Sequence, residues 1–406
     1  MTTGPHSPRA RSGPSWRFLA EVLALAALGV SAVSGCGATP VAGSGARPST
    51  PVIRASLATS IETSAGSWAT VAMGQLDQPL NTFWQLLFRP PGAALWSDRA
   101  SALAVATNGG LVVATHSGRS LAIGIRPTNH LDYSPLIVTS DARSWLPAGP
   151  IGALADEPDA LAIAAGGEAM ALVSDGRVTR VLASPGGLAS WRQIATEDGL
   201  ATSTAGRSCG LVSLLAVGYA AGQGLIGAGC SRDGIVGIFA SRRSAWRLVG
   251  PRLPQSLRNS SAEVLGLQTT TRGLCALVGV TVRRSTKVVA ACTSGNGLKW
   301  RVSPALSLAG PQHVVSFGPA GDLGLFVMIS GSARRVILAV LGKPEVSWRT
   351  LPSPPARTAV VVFGPAGRLD ALAVDGTSFT DWLLAGGDRW KKVQELHVAI
   401  QFGSSG

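Results

Sequence analysis

Short apolar runs recur from residue 67 to the end of the chain, and glycine-rich turns break them at close intervals. The stretch 159–195 shows the pattern. DALAIAA, AMALVS, RVTRVLAS and WRQIA are separated by GGE, DG and PGGLAS. Runs this short, rich in branched side chains and bounded by glycine and proline, read as strands rather than helices. Each such group predicts four antiparallel strands joined by tight turns.

Tryptophan supplies a long period. Trp96, Trp145, Trp191, Trp246, Trp300, Trp348 and Trp390 are separated by 49, 46, 55, 54, 48 and 42 residues. Upstream of each lies an apolar run and a turn. Downstream comes a short run that often opens with a basic residue, as in WRQIA, WRLVG, WRVSP, WRTLP and WKKV. VVSFGPAGDLGLFVM and VVVFGPAGRLDALAV are near copies, with Phe317 and Phe363 46 residues apart. Four-stranded repeats of about 40–50 residues are the size of a propeller blade. The expected fold is therefore all-β: a seven-bladed β-propeller of four-stranded antiparallel blades. Each tryptophan should open an outermost strand and cover the gap to the neighbouring blade. After Trp390 only one outer and one inner strand can be read. The last blade should thus be completed, and the ring closed, by both chain ends. A pair of β-sandwiches is the alternative architecture.

The N-terminus carries a different pattern. Arginines at 9, 11 and 17 precede the apolar run FLAEVLALAALGVSAV, and Val33-Ser34-Gly35-Cys36 follows. A basic region, a short apolar region and small residues before a cut site make an export signal. The four residues ending at Cys36 resemble the lipobox of bacterial lipoproteins, with valine at a position where leucine is commoner. The resemblance implies cleavage before Cys36 and a diacylglycerol on its sulfur. Such a lipid would hold the chain on the outer side of a membrane. The expected organisation is a signal peptide over 1–35, a small, polar, proline-dotted tether over 36–66, and the propeller over 67–406.

Charge adds little specificity. The net charge is +13, and about +11 remains once the net +2 of residues 1–35 is set aside. The arginines are dispersed and not interleaved with aromatics, so nucleic acid is not an expected partner. Besides Cys36, Cys209, Cys230, Cys275 and Cys292 remain, an even number in an exported chain. Three connectivities are possible. The spacings favour 209 with 230 and 275 with 292, the latter bracketing a hairpin that turns at Arg283-Arg284.

The turns before the tryptophans resemble the Asp-box of sialidase-like propellers. TSGNGLKW, from Thr293 to Trp300, departs from it only in having Gly295 where aspartate belongs. SDARSW keeps Asp141, one place nearer its tryptophan. That resemblance implies the fold, and a sialidase would further need an arginine clamp and a tyrosine nucleophile. Tyr133 and Tyr219 are the two tyrosines. Tyr219 sits in an inner-strand run and reads as a packing residue. The segment GIRPTNHLDYSP gathers Arg126, Asn129, His130, Asp132 and Tyr133 in an apparent insertion, and is the candidate ligand-binding loop.

No nucleophile elbow, zinc helix, phosphate loop or calcium loop can be read, and neither metal nor cofactor is expected. His116 and His397 fall in strand runs and read as structural. The functional expectation is a monomeric, non-enzymatic, lipid-anchored module that binds an envelope protein, wall polymer or glycan. A sialidase-like glycoside hydrolase is the first alternative, and an assembly factor for envelope proteins the second.

Overall fold

The structure is a computed structural model. It describes residues 59–399, other than 77–80, 100–110, 117–119, 126–135, 140, 149–157, 175–177, 187, 221, 243–244, 271, 284, 294–297, 343–344 and 387. Cys36, the export signal and the candidate loop at Arg126–Tyr133 lie outside the described residues.

The chain is all-β, built mostly of four-stranded antiparallel meanders taken in sequence order. The first sheet is β1 (Thr59–Thr63), β2 (Gly66–Gly74), β3 (Thr82–Arg89) and β4 (Ser97–Asp98). The second is β5 (Leu111–His116), β6 (Ser120–Ile125), β7 (Leu136–Thr139) and β8 (Leu146–Pro147). The third is β9 (Ala160–Ile163), β10 (Ala169–Ser174), β11 (Thr179–Ser184) and β12 (Arg192–Thr196).

Next come β13 (Leu214–Ala220), β14 (Gln223–Arg232), β15 (Ile235–Arg242) and β16 (Ala245–Leu248). They are followed by β17 (Ser261–Thr270), β18 (Gly273–Val282), β19 (Ser285–Thr293), β20 (Trp300–Val302) and β21 (Leu306–Leu308), the last also on β19. These two meanders share one nine-stranded sheet through a single pairing of Gly229 with Glu263. The chain ends with β22 (His313–Pro319), β23 (Gly324–Ser330), β24 (Arg335–Leu341) and β25 (Val346–Thr350), then β26 (Thr358–Phe363), β27 (Leu369–Asp375), β28 (Ser378–Ala385) and β29 (Arg389–His397).

Burial grades across each sheet. Central strands such as β18 and β23 are buried along most of their length on both faces, as strands flanked by neighbouring sheets must be. Last strands such as β12, β25 and β29 are half-buried to exposed. The tryptophan series falls at this outer edge, as expected: each of the seven stands in or just before the fourth strand of its meander. Trp68, Trp84 and Trp382, outside the series, lie on β2, β3 and β28.

Three of the outer tryptophans latch one sheet to the sheet before it. The Trp300 indole N–H donates to the carbonyl of Val249, just past β16, at 2.8 Å. Trp348 donates to Pro304, just past β20, at 2.7 Å, and Trp390 to Pro352, just past β25, at 3.4 Å. Each acceptor follows the preceding tryptophan by three or four residues, so the contact repeats with the period of the sequence. Inside, the repeated phenylalanine does similar work. Phe317 of β22 fills the hollow at Gly266 of β17, where a Cβ would come within 2.1 Å of its ring. Phe363 of β26 stacks on Phe326 of β23 at 5.6 Å.

Two expectations are corrected. Residues 59–66 are not tether: they form β1 and the turn into β2, paired from Thr59↔Thr70 to Thr63↔Gly66. Nor, among the described residues, do the first and last sheets share a strand. Residues 59–98 complete the first sheet alone, and residues 358–397 complete the last. The two sheets meet instead through side chains and isolated backbone bonds. Ser60 Oγ donates to the Val361 carbonyl at 2.8 Å, and the Gly74 N–H donates to the Gly376 carbonyl at 2.8 Å. The Gln394 amide pairs with both backbone groups of Trp96, accepting at 2.8 Å and donating at 2.9 Å. Apolar residues of both sheets, among them Val71, Met73, Val361 and Phe379, share one buried cluster.

A buried ion cluster lies in this seam. Arg89 of β3 is 3% exposed and reaches Asp370 of β27 at 2.7 Å. Arg368 reaches the same carboxylate at 2.9 Å, and stands 3.8 Å from Asp381 of β28. The Arg89 guanidinium also lies 4.5 Å from the centre of the Trp96 ring. Asp370 and Asp381 are both fully buried. Burial, and then the neighbouring Asp370 charge, push the Asp381 carboxyl up to about 7, against the pull of Arg89, Arg368 and the Trp96 indole. Burial likewise raises Glu62 of β1, which faces Ser67, Arg89 and Asp370.

The unfolded chain therefore releases the Asp381 proton from 3.8 upward, and the folded one only near 7. Stability from this group is greatest below the first value and falls as pH rises through that window. Asp381→Asn is expected to flatten the fall between about pH 4 and 7, measured by urea unfolding at each pH.

Both disulfides follow the spacing. Cys275 and Cys292 sit opposite each other on β18 and β19, fully buried, and the strands turn at Arg283 as expected. Cys209 pairs with Cys230 of β14. It ends α2 (Thr204–Cys209), which with α1 (Glu197–Ala201) forms a helical insertion between β12 and β13. Replacing both Cys275 and Cys292 by alanine is expected to cost about 3 kcal/mol, read from denaturant midpoints.

Candidate functional site

Among the described residues, a cleft of about 470 Å³ opens between the β9–β12 and β13–β16 meanders. Met170, Ala183, Arg192, Gln193 and Ile194 line it from one side. Tyr219, Gly224, Ser241 and Trp246 line it from the other. Register places these residues together. Met170, Arg192 and Gly224 stand near the starts of β10, β12 and β14, and Tyr219 and Ser241 near the ends of β13 and β15. In antiparallel meanders those ends share one side of the sheet. Tyr219 lies directly across from Gly224. A Cβ on Gly224 would fall 2.3 Å from the Met170 sulfur, so glycine lets the thioether lie along the cleft floor.

Trp246 does not form the latch seen at three of the seven outer tryptophans; Trp191 instead donates to the Leu188 carbonyl of its own turn, and the Trp96 and Trp145 indole N–H groups find no such partner among the described residues either. Trp246 belongs to the same series as Trp300, Trp348 and Trp390, yet its indole N–H has no acceptor among the described residues. The preceding outer strand explains the difference. β16, β20 and β25 all end two residues past their tryptophan, and the freed carbonyl follows. β12 instead bulges at Ile194 and runs on, paired to Arg180, as far as Thr196, where it enters α1. The positions that supply acceptors elsewhere correspond here to Ile194 and Ala195, which are still within the strand. The helices hold this course. Thr196 caps α1 by accepting from the Gly199 N–H, and the Glu197 carboxylate accepts from the Leu214 N–H at 2.9 Å. Cys209–Cys230 ties the end of the insertion to β14.

Other polar side chains in the cleft are also free. The side chains of Arg192, Gln193, Tyr219 and Ser241 make no hydrogen bond or ion pair among the described residues. Tyr219 is half-buried, and burial with the nearby Glu168 charge raises its phenol. It therefore keeps its proton at neutral pH and acts as a hydrogen-bond donor or acceptor, not as an oxyanion nucleophile. The set is rich in donors, since arginine and the indole can only donate. The sequence marked Tyr219 only as a packed strand residue and Arg192 only as a recurrent basic residue. The missing latch at Trp246 could not be seen before the other latches were.

The remaining expected site residues fall elsewhere. Arg126, Asn129, His130, Asp132 and Tyr133 lie outside the described residues, as does Cys36. Asp141 organises the turn before Trp145, accepting from the Arg143 and Ser144 N–H groups at 2.8 and 2.7 Å. These bonds lower its carboxyl to about 2. Its contribution to stability is present above 3.8 and lost as pH falls through about 2. His397 accepts or shares protons with Thr377 and Ser378 at 3.2 Å, a structural role. No group of three or more metal-ligating side chains occurs among the described residues.

No family model matches the sequence, and no curated protein matches it. Solved structures are similar in fold. A candidate 6-phosphogluconolactonase from Bacteroides uniformis is 12% identical with a TM-score of 0.47, over 82% of this chain and 96% of that one. The β-propeller domain of Cps50 from Myceliophteria thermophila is 10% identical with a TM-score of 0.42, over 78% and 93%. The polysaccharide lyase Uly1 is 8% identical with a TM-score of 0.41, over 86% and 89%. At such identities, neither activity nor substrate carries over from these proteins.

Proposed function

We propose that the chain is an exported, seven-bladed β-propeller, lipid-anchored through Cys36, that works as a binding module at the cell envelope. The ring reading rests on the order of contacts between first strands. β1 touches β5, β5 touches β9, and β9 touches β13. β13 touches β17, β17 touches β22, β22 touches β26, and β26 touches β1 again. A closed ring of seven meanders places its first strands in that cyclic order. Export is favoured by two buried disulfides, which persist in oxidising compartments.

The binding reading is carried by the cleft at Trp246, where several side chains present hydrogen-bonding groups that have no partner among the described residues. Tyr219 and Trp246 are half-buried, where polar groups are normally paired, and the exposed Arg192, Gln193 and Ser241 stand around the same concave space, an arrangement that suits a ligand.

Two measurements test this function. The wild-type chain is expected in the membrane fraction of a bacterial host, and the Cys36→Ser chain in the soluble exported fraction. The Cys36→Ser chain should also sediment with isolated cell-wall material. A chain that stays soluble with Cys36 intact, or that sediments with no envelope material, contradicts the reading.

A further inference from the structure

We infer that the cleft at Trp246 binds a carboxylated saccharide of one or two sugar units, with Arg192 holding the carboxylate. The inference rests on the binding-module reading and names its ligand class.

The chemistry of the lining sets the ligand's chemistry. Trp246 and Arg192 can only donate hydrogen bonds, and both lack partners among the described residues. The complementary ligand must therefore be rich in acceptors. The free guanidinium favours an anionic acceptor with two oxygens in one plane, which is a carboxylate. Gln193, Ser241 and Tyr219 can each donate and accept, which matches hydroxyl groups. The indole and the phenol ring supply apolar surface for the C–H face of a sugar ring. A cleft of about 470 Å³ is in the range of small-ligand sites.

The course of β12 explains why Trp246 meets no backbone acceptor. At Trp300, Trp348 and Trp390 the indole N–H meets a carbonyl of the preceding sheet. At Trp246 the corresponding residues, Ile194 and Ala195, are still within β12, which runs on into the helical insertion. The ligand supplies the acceptor that the backbone supplies at those three positions.

Isothermal titration of the full-length chain with cellobiose and with its glucuronate-containing analogue tests the inference. The acidic disaccharide is expected to bind at least tenfold more tightly than the neutral one. Arg192→Ala should abolish that difference. Trp246→Phe should weaken acidic-disaccharide binding about fivefold, the loss of one hydrogen bond, and leave the thermal midpoint unchanged. Both substitutions are at half-exposed or exposed positions, so folding is preserved and the comparison holds. Equal binding of the two sugars, binding of neither, or wild-type affinity in Arg192→Ala would overturn the inference. So would acetate or inorganic phosphate competing as strongly as the acidic sugar, which would mark an anion site without sugar recognition. Sedimentation with cell-wall material separates the two levels. A chain that ignores the uronate yet still sediments loses only the ligand class, and one that does neither loses the binding module as well.

Discussion

Replacing Arg89 by alanine is expected to lower the free energy of unfolding by about 3–5 kcal/mol, the loss seen when one member of a buried ion cluster is removed. Arg89 is 3% exposed, and the carboxylates it faces, Asp370 and Asp381, are fully buried. Without it, Arg368 alone must offset both, at 2.9 and 3.8 Å. The Arg89 charge also holds the Asp381 carboxyl down, so its loss raises that group further. The deficit should therefore be larger near pH 8 than near pH 5, where Asp381 is protonated. Urea unfolding at both values checks the size and the sign. The exposed pair Lys392–Glu395 is the control: Lys392→Ala should change stability by less than about 1 kcal/mol.

The second large effect is at the latches. Trp300→Ala is expected to cost about 2–4 kcal/mol, below or within the range for burying an aromatic ring completely, because Trp300 is half-buried. Trp300→Phe keeps most of the ring but orphans the Val249 carbonyl, at a cost of about 1 kcal/mol. Trp348→Phe should behave alike, having the same bond to Pro304. Trp246→Phe should cost almost nothing, since its N–H has no acceptor to lose. Equal losses at all three positions would show that the hydrogen bond is not what distinguishes them. Denaturant midpoints of the single variants are sufficient.

Much of the fold could be read from local pattern. The tryptophans marked the outer strands because an indole is the largest side chain able to bridge a gap between sheets. The run 159–195 divided at its glycine turns into strands close to β9–β12, and the hairpin between Cys275 and Cys292 turned where two arginines interrupt its apolar residues. β1 escaped notice for a physical reason. TSIET is short and mostly polar, and its buried Ser60 and Thr63 are satisfied by Val361 and Gly66 carbonyls. No apolar alternation marks such a strand.

The contact between the first and last sheets escaped for another reason. A seam made by Arg89, Asp370, Gln394 and Trp96 joins residues up to 298 positions apart, and no local period encodes it. The cleft was illegible because it depends on where β12 ends. Arg192 looks like every other basic residue after a tryptophan until the course of β12 past Ile194 is known.

The direct meeting of first and last sheets is tested most simply by a distance. Spin labels on cysteines introduced at Gln75 and Thr377, in the Cys36→Ser chain, flank the bond from the Gly74 N–H to the Gly376 carbonyl. A closed ring gives one narrow, short distance between them by double electron–electron resonance, unchanged by dilution. A broad distribution centred at long distance would mean that the ends of the chain do not meet, and the seven-sheet ring would fall with them.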